Sequence, residues 1–253
     1  MSHPSPLTGK VALVTGGAGG IGTAICTELA AQGASVVVGY NSSSGKAEAL
    51  AAALPSAAMQ HAALPAPVTN SAGMAALASA IEARYGRCDI LVNCAGTTSF
   101  VPHGDLDALD DCLIDRILAT NVRGPFAAVR ALRALLARHG DGLVVNVSSI
   151  AAVTAMGSNV MYCASKAAVD NMTKSLARAL APQIRVVSVS PGLADTDFVN
   201  GLDQGWRDEQ AARTPLRRLA APREVALAVV ALATHLTFTT GAVLPVDGGR
   251  PLL

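Results

Sequence analysis

Runs of β-branched residues alternate with alanine-rich segments of helical period along almost the whole chain, and that alternation leaves few folds open. The stretches KVALVTG, ASVVVGY, CDILVNCAG, GLVVNVSS, IRVVSVSPG and GAVLPVDGG read as strands, each ending in small or polar residues. Between them, GIGTAICTELAAQG, GKAEALAAAL, AGMAALASAIEARYG, ATNVRGPFAAVRALRALLARHG, CASKAAVDNMTKSLARALA and PREVALAVVALATH carry apolar residues at helix spacing. Strands that are apolar throughout need cover on both faces, and helical connections supply it. The pattern predicts a doubly wound parallel sheet of about seven strands in a three-layer α/β/α arrangement. The stretch AAMQHAALPAPVTN stands where a further strand is expected, and Pro65 and Pro67 weaken that expectation.

No linker, repeat or low-complexity tract divides the 253 residues, so one domain is expected over 1–253. The region from about 195 to 222 breaks the alternation and reads as a long irregular substrate loop. A formal charge of +1 leaves no basic excess to neutralise a polymer of phosphates, which argues against a nucleic-acid partner. Arg123, Arg130, Arg133 and Arg138 fall close together on one expected helix and read as a solvated face or a subunit contact. Apolar runs such as VALAVVALAT are too short to span a bilayer, and MSHPSPLTGK lacks the charged and apolar regions of a signal peptide. The five cysteines are odd in number and scattered, so neither a disulfide framework nor a metal site is expected, and reduced thiols in a cytoplasm fit.

Four groups of residues carry chemistry. In VTGGAGGIG, between the first strand and its helix, Gly16 permits a tight turn and Gly20 lets backbone approach a pyrophosphate. Gly22 lets helix and strand pack closely, and Ile21 stands between the two in the first helical turn. This is a Rossmann-type signature, and the absence of a GK[ST] ending argues against a nucleoside-triphosphate loop. At the end of the next strand an NAD site usually carries a carboxylate for the ribose 2′-hydroxyl. Here Tyr40, Asn41, Ser42 and Ser43 stand there instead, followed by Ser44 and Lys46, which favours a 2′-phosphate and hence NADP over NAD. A polar turn capping the next helix, with Ser44 as the cap, is the other reading of these residues. In NCAG, Asn93 closes a strand while Ala95 and Gly96 remove bulk where a ribose can pass.

The fourth group is Asn121, Ser149, Tyr162 and Lys166. Tyr162 and Lys166 are one helical turn apart, so phenol and ammonium project side by side among small neighbours. A phenol ionises near pH 10, and an adjacent ammonium favours its anion, which brings proton exchange nearer neutral pH. Such a pair can protonate a carbonyl oxygen while hydride reaches the carbon, and do the reverse for an alcohol. Ser149, at the end of LVVNVSS, is placed to hold that oxygen, and Asn121 to order a proton-relaying water near Lys166.

From Lys10 to Gly249 the chain resembles the short-chain dehydrogenase/reductase family, in its single-domain branch and nearest its 3-oxoacyl-(acyl-carrier-protein) reductase-like group. TGGAGGIG, NCAG, ATNV, VSSIAA, YCASK, SPGLADT and TGAVLPVDGG occur in the family's order. The resemblance implies an oxidoreductase moving hydride between NADP(H) and a carbonyl or secondary alcohol, with Tyr162 as acid/base. It makes Lys166 the partner of that phenol and a ribose ligand, Ser149 the substrate-orienting serine, Ser148 its averted neighbour, and Asn121 the fourth member. It places Pro191 and Gly192 under the nicotinamide and Thr196 near its carboxamide and phosphate. A homo-oligomer, dimer or tetramer, formed through the helices of Asn121 and Tyr162 is implied as well.

Two positions depart from the family's pattern. An Asp-Val pair that meets adenine is Pro67-Val68 here, leaving backbone contact from Val68, and an amide is replaced by Cys94. Cys94 and Cys163 read as packed thiols. Trp206, Phe198 and Met156, with GTTSFVPHGDLDALD opposite, are the expected walls of a small-molecule substrate site, and none names the substrate. An NAD-linked sugar or hydroxy-compound dehydrogenase is the alternative. A non-catalytic nucleotide-binding protein is the weaker one, since Ser149, Tyr162 and Lys166 are all present.

Overall fold

The parallel sheet runs in the order β3-β2-β1-β4-β5-β6-β7 in a computed structural model that describes residues 5–196 and 203–252. Its strands are β1 (Val11–Thr15), β2 (Ser35–Tyr40), β3 (Ala62–Pro65), β4 (Ile90–Asn93), β5 (Gly142–Val147), β6 (Ile184–Pro191) and β7 (Val243–Val246). Strand order reverses between β1 and β4, where Leu13 lies opposite Leu91 and Thr15 opposite Asn93. A ligand crevice opens at such a reversal, outside the carboxyl ends of the strands.

Alternate residues of each strand face opposite layers. Ala12, Val14, Val36, Val38, Val92 and Val145 pack beneath α1 (Gly20–Ala31) and α2 (Ser44–Ala53). They are joined there by Val225 and Val229 of the last helix, Pro222–Thr234. Val11, Leu13, Val37, Leu91, Val144 and Val186 pack beneath α3 (Ser71–Tyr85), a second helix over Gly124–Ala137, and a third over Val160–Leu180. In chain order the remaining helices are α4 (Asp111–Leu118), α5 (Gly124–Ala137), α6 (Ala151–Thr154), α7 (Val160–Leu180), α8 (Gln204–Ala212) and α9 (Pro222–Thr234). Both faces of the sheet are covered, as its apolar strands require.

One doubtful strand is present, and two helices add to those expected. β3 does form despite Pro65, because it is a four-residue edge strand and the proline closes it opposite Tyr40. The stretch before Ala119 is helical from Asp111, capped by Asp110, whose carboxylate accepts the Leu113 N–H at 2.7 Å. A π-turn over Ala119–Arg123 then joins α4 to α5. The region expected to be irregular contains α8, capped by Asp203, which accepts the Trp206 N–H at 2.9 Å. That helix buries none of its residues, so it carries no apolar stripe from which to read it. Phe198 lies outside the described residues.

At the opposite end of the sheet from the crevice, Asp89 is 3 % exposed and accepts the Val11 N–H at 2.8 Å. Arg87 donates to the same carboxylate from Nε at 2.8 Å and from a terminal nitrogen at 2.6 Å, and Lys10 stands 3.6 Å away. This buried anion is paired on two sides, as its burial demands.

Candidate active site

The glycine turn between β1 and α1 is shaped by contacts that leave no room for side chains. Gly16 has φ +65°, and a Cβ on it would lie 2.9 Å from the Ala95 Cα. A Cβ on Gly22 would lie 2.2 Å from the Gly16 carbonyl oxygen, and one on Gly20 2.9 Å from the Thr196 Cγ2. Gly17 donates to the Gly39 carbonyl at 2.9 Å, fixing the turn to β2. Ile21 turns its side chain toward the core under α1. The first N–H groups of α1 lack intrahelical acceptors and point toward this turn, the arrangement that receives phosphate.

A hydroxyl that sequence reasoning passed over ties this turn to the next. Thr15 Oγ1 accepts the N–H groups of Cys94 and Ala95, each at 3.2 Å, so the end of β4 is held against the glycine turn. Its signal was the threonine directly before Gly16 at the end of an apolar strand. Asn93 is 4 % exposed and turned into the sheet, donating to Asn146 Oδ1 at 2.9 Å. Asn146 in turn donates to Thr173 Oγ1 of α7 at 2.8 Å, so a buried polar path ties β4, β5 and α7 together.

At the end of β2, Tyr40 is half-buried while Asn41, Ser42, Ser43 and Lys46 are exposed. Ser43 occupies the N-cap position of α2 without a side-chain cap hydrogen bond, and Ser44, expected as the cap, is the first helical residue. Their hydroxyls are not committed to the helix. Pro67 and Val68 are wedged against two helices: a Cβ on Gly73 would meet Pro67 Cγ at 2.5 Å, and one on Gly124 would meet Val68 Cγ2 at 3.0 Å.

Asn121 sits inside the π-turn and is 2 % exposed. Its Oδ1 accepts the Thr97 N–H at 2.8 Å, and its Nδ2 donates to the Thr97 carbonyl at 3.0 Å and to Ser165 Oγ at 3.1 Å. The Asn121 side chain thus clamps the loop after β4. A π-turn shifts the backbone pairing locally, and such turns concentrate at functional sites.

Asn159 caps α7, accepting the N–H of Tyr162 itself at 2.7 Å. The Lys166 ammonium lies 5.7 Å from the centre of the Tyr162 ring and donates to the Val147 carbonyl at 2.9 Å. Lys166 is 7 % exposed. A Cβ on Gly96 would stand 3.9 Å from that ammonium and 3.6 Å from Asn121 Oδ1. The missing side chain therefore keeps open the space beside Lys166. Ser149 is half-buried, its Oγ accepting the Ala151 N–H at 3.2 Å. Ser148 turns the other way, donating to the Lys166 carbonyl at 3.3 Å.

Around this group, Gly192 donates to the Val246 carbonyl at 3.0 Å, and Ile150 to the Pro191 carbonyl at 2.9 Å. The Pro191-Gly192 turn is thereby stitched to β7 and to the Ser149 loop. Thr196 reaches back to the glycine turn. Trp206 is half-buried on α8, and Met156 is mostly exposed beside Ser149's loop. Burial pushes the Cys94 thiol up to about 11, against the pull of the Lys166 ammonium, and burial raises Cys163 as well. Both thiols are protonated at neutral pH and act as packing groups. Among the described residues no cluster of three or more metal-ligating side chains occurs.

The profile of the family described as Enoyl-(Acyl carrier protein) reductase matches residues 16–250, nearly the whole chain. The chain is a short-chain dehydrogenase/reductase. A Streptomyces violaceoruber relative named as ketoacyl reductase 2 of the granaticin polyketide synthase is 42 % identical over 96 % of this chain and 96 % of its own length. A cis-4-hydroxycyclohexanecarboxylate dehydrogenase from Sinomonas cyclohexanicum is 40 % identical over 95 % of this chain and 96 % of its own. A solved structure from Burkholderia xenovorans, described as a short-chain dehydrogenase/reductase, superposes with a TM-score of 0.89 at 35 % identity. That match covers 96 % of this chain and 98 % of the other. As a short-chain dehydrogenase/reductase, the protein is an oxidoreductase working between a carbonyl and an alcohol. The family implies a nicotinamide dinucleotide as its cofactor.

Proposed function

We propose that this short-chain dehydrogenase/reductase uses NADP(H), with Tyr162 as the proton donor and acceptor at the substrate oxygen. The observation that carries the reading is the Lys166 ammonium, 5.7 Å from the Tyr162 ring centre, beside space left open by Gly96. A cradle that a Cβ would fill at Gly16, Gly20 and Gly22 fits a pyrophosphate drawn close to backbone. A bound reduced nicotinamide supplies the hydride. Every other part of the reaction falls to the chain.

The backbone of Gly16, Gly20, Ile21 and Gly22 would hold the pyrophosphate, and the uncommitted polar groups of Tyr40, Asn41, Ser42 and Ser43 a 2′-phosphate. The Val68 backbone would meet adenine, Ala95 and Gly96 would line the ribose path with only the backbone of Asn93 beside them, and Pro191, Gly192 and Thr196 the nicotinamide end. Ser149 Oγ holds the substrate oxygen and Tyr162 passes it a proton as the carbon is reduced. Lys166 keeps an ammonium beside the developing tyrosinate and binds the ribose, while Asn121 acts through Thr97 to set the loop between them. The substrate class proposed is a cyclic or polyketide-like ketone or its alcohol, on the strength of the names of the two relatives. Assembly into dimers or tetramers through α5 and α7, and residence in the cytoplasm, belong to the same proposal. Among the described residues no helix is long and apolar enough to cross a membrane.

Titration with NADPH and with NADH, followed by nicotinamide fluorescence, tests the cofactor. Tighter NADPH is expected. Tighter NADH favours an NAD-linked hydroxy-compound dehydrogenase, the alternative to which the 40 % identical relative lends its name.

A further inference from the structure

Asn159 stands three residues before Tyr162, and its helix cap accounts for one of its three side-chain hydrogen bonds. It is 1 % exposed. Oδ1 accepts the Tyr162 N–H at 2.7 Å, while Nδ2 donates to the Ser99 carbonyl at 2.8 Å and to Thr98 Oγ1 at 3.2 Å. A cap needs an acceptor alone, and serine, threonine or aspartate would provide one. What asparagine adds is the two donated bonds, both to the loop after β4.

That loop is fastened at two points. Asn121 clamps both backbone groups of Thr97, as described above. Val101 donates to the Ser158 carbonyl at 2.8 Å, and the hydroxyls of Thr98 and Ser158 are hydrogen-bonded to each other. A continuous path therefore runs from Asn121 through Thr97, Thr98 and Ser99 to Asn159, and from its Oδ1 to the backbone of Tyr162.

We propose that Asn159 is a positioning residue for Tyr162. Its amide fastens the loop after β4 to the first turn of α7 and so fixes the phenol relative to Gly96 and Asn121. The proposal rests on the reading of Tyr162 as the acid/base group. Buried and fully hydrogen-bonded, Asn159 has no free atom to offer a substrate, so its effect must pass through Tyr162.

The rival account is a helix cap and nothing more, and Asn159→Ser separates the two. Serine keeps the acceptor for the cap and lacks the amide's two N–H donors, which its single hydroxyl hydrogen cannot replace. The melting temperature, the NADPH affinity, turnover of a carbonyl that the wild type reduces, and amide hydrogen exchange over residues 97–101 are measured on the full chain. The melting temperature is expected to stay within about 3 °C and the NADPH affinity within about twofold. Turnover is expected to fall about tenfold to a hundredfold, in kcat more than in KM. Exchange over 97–101 is expected to rise about tenfold. Wild-type turnover and exchange in Asn159→Ser would overturn the proposal. If that variant does not fold, Asn159→Asp, which also keeps the acceptor and loses the donors, is read by the same criteria. If the wild type binds NADPH and reduces no carbonyl, the reading of Tyr162 fails. Exchange over 97–101 then still decides whether the amide fastens the loop.

Discussion

The Lys166 ammonium sits near the Tyr162 ring and beside the space left by Gly96, where the proposed proton transfer and the proposed ribose contact would meet. Lys166→Ala should therefore lower turnover by at least about a hundredfold and also weaken NADPH binding about tenfold or more. Fluorescence titration together with an activity assay reads both, and an unchanged NADPH affinity would remove the ribose contact. Gly22→Ala belongs to the same scale. Its Cβ would stand 2.2 Å from a backbone oxygen that has no flexible end to move aside. A loss of about 1–3 kcal/mol in stability is expected from overpacking, along with loss of NADPH binding, measured by denaturant unfolding and by titration. Single residues also mark how far the sequence could be read. The Tyr162–Lys166 spacing was legible because helical periodicity fixes which side chains are neighbours. The commitment of Asn121 to Thr97 was not legible, since it depends on where a loop of the β4 end meets a π-turn distant in sequence.

The elements divide along a similar line. Strands and helices with an apolar face declared themselves, because burial on a sheet imposes a period. α8 buries none of its residues and was hidden for that reason, with only Asp203 to mark its start. β3 was legible as a doubtful strand, and its place at the sheet edge explains how it tolerates Pro65. One helix start makes a test of pH. At α9, Glu224 accepts the Ala221 N–H at 2.9 Å and two bonds from Arg218 at 2.6 Å. Those Arg218 bonds, then the Ala221 N–H, bring its carboxyl down from 4.5 to about 2. A carboxylate depressed in the folded state lends stability above its unfolded value and loses it as pH falls through the folded one. Glu224 is largely solvent-exposed, so screening holds the contribution to about 1 kcal/mol or less. Glu224→Gln should therefore lower the melting temperature by a few degrees at pH 7. The gap to wild type should close between about pH 4.5 and 2. A gap that persisted at pH 2 would assign the effect to the cap alone.

Over the whole molecule, the reversal of strand order at β1 and β4 gathers the glycine turn, the NCAG turn, Ser149 and the Tyr162 helix at one end of the sheet. The ion-paired Asp89 cluster holds the other end. Light scattering is expected to give a mass two or four times that of one 25.5 kDa chain; a mass of one chain would contradict assembly through α5 and α7. The division of labour between cofactor site and proton carrier is the central claim, and Tyr162→Phe tests it most directly. The ring stays, the hydroxyl goes, and turnover of a carbonyl is compared with NADPH affinity on the same preparation. The account predicts a fall in turnover of about a hundredfold to ten-thousandfold, with NADPH affinity within about twofold of wild type. Turnover within twofold of the wild type would contradict it.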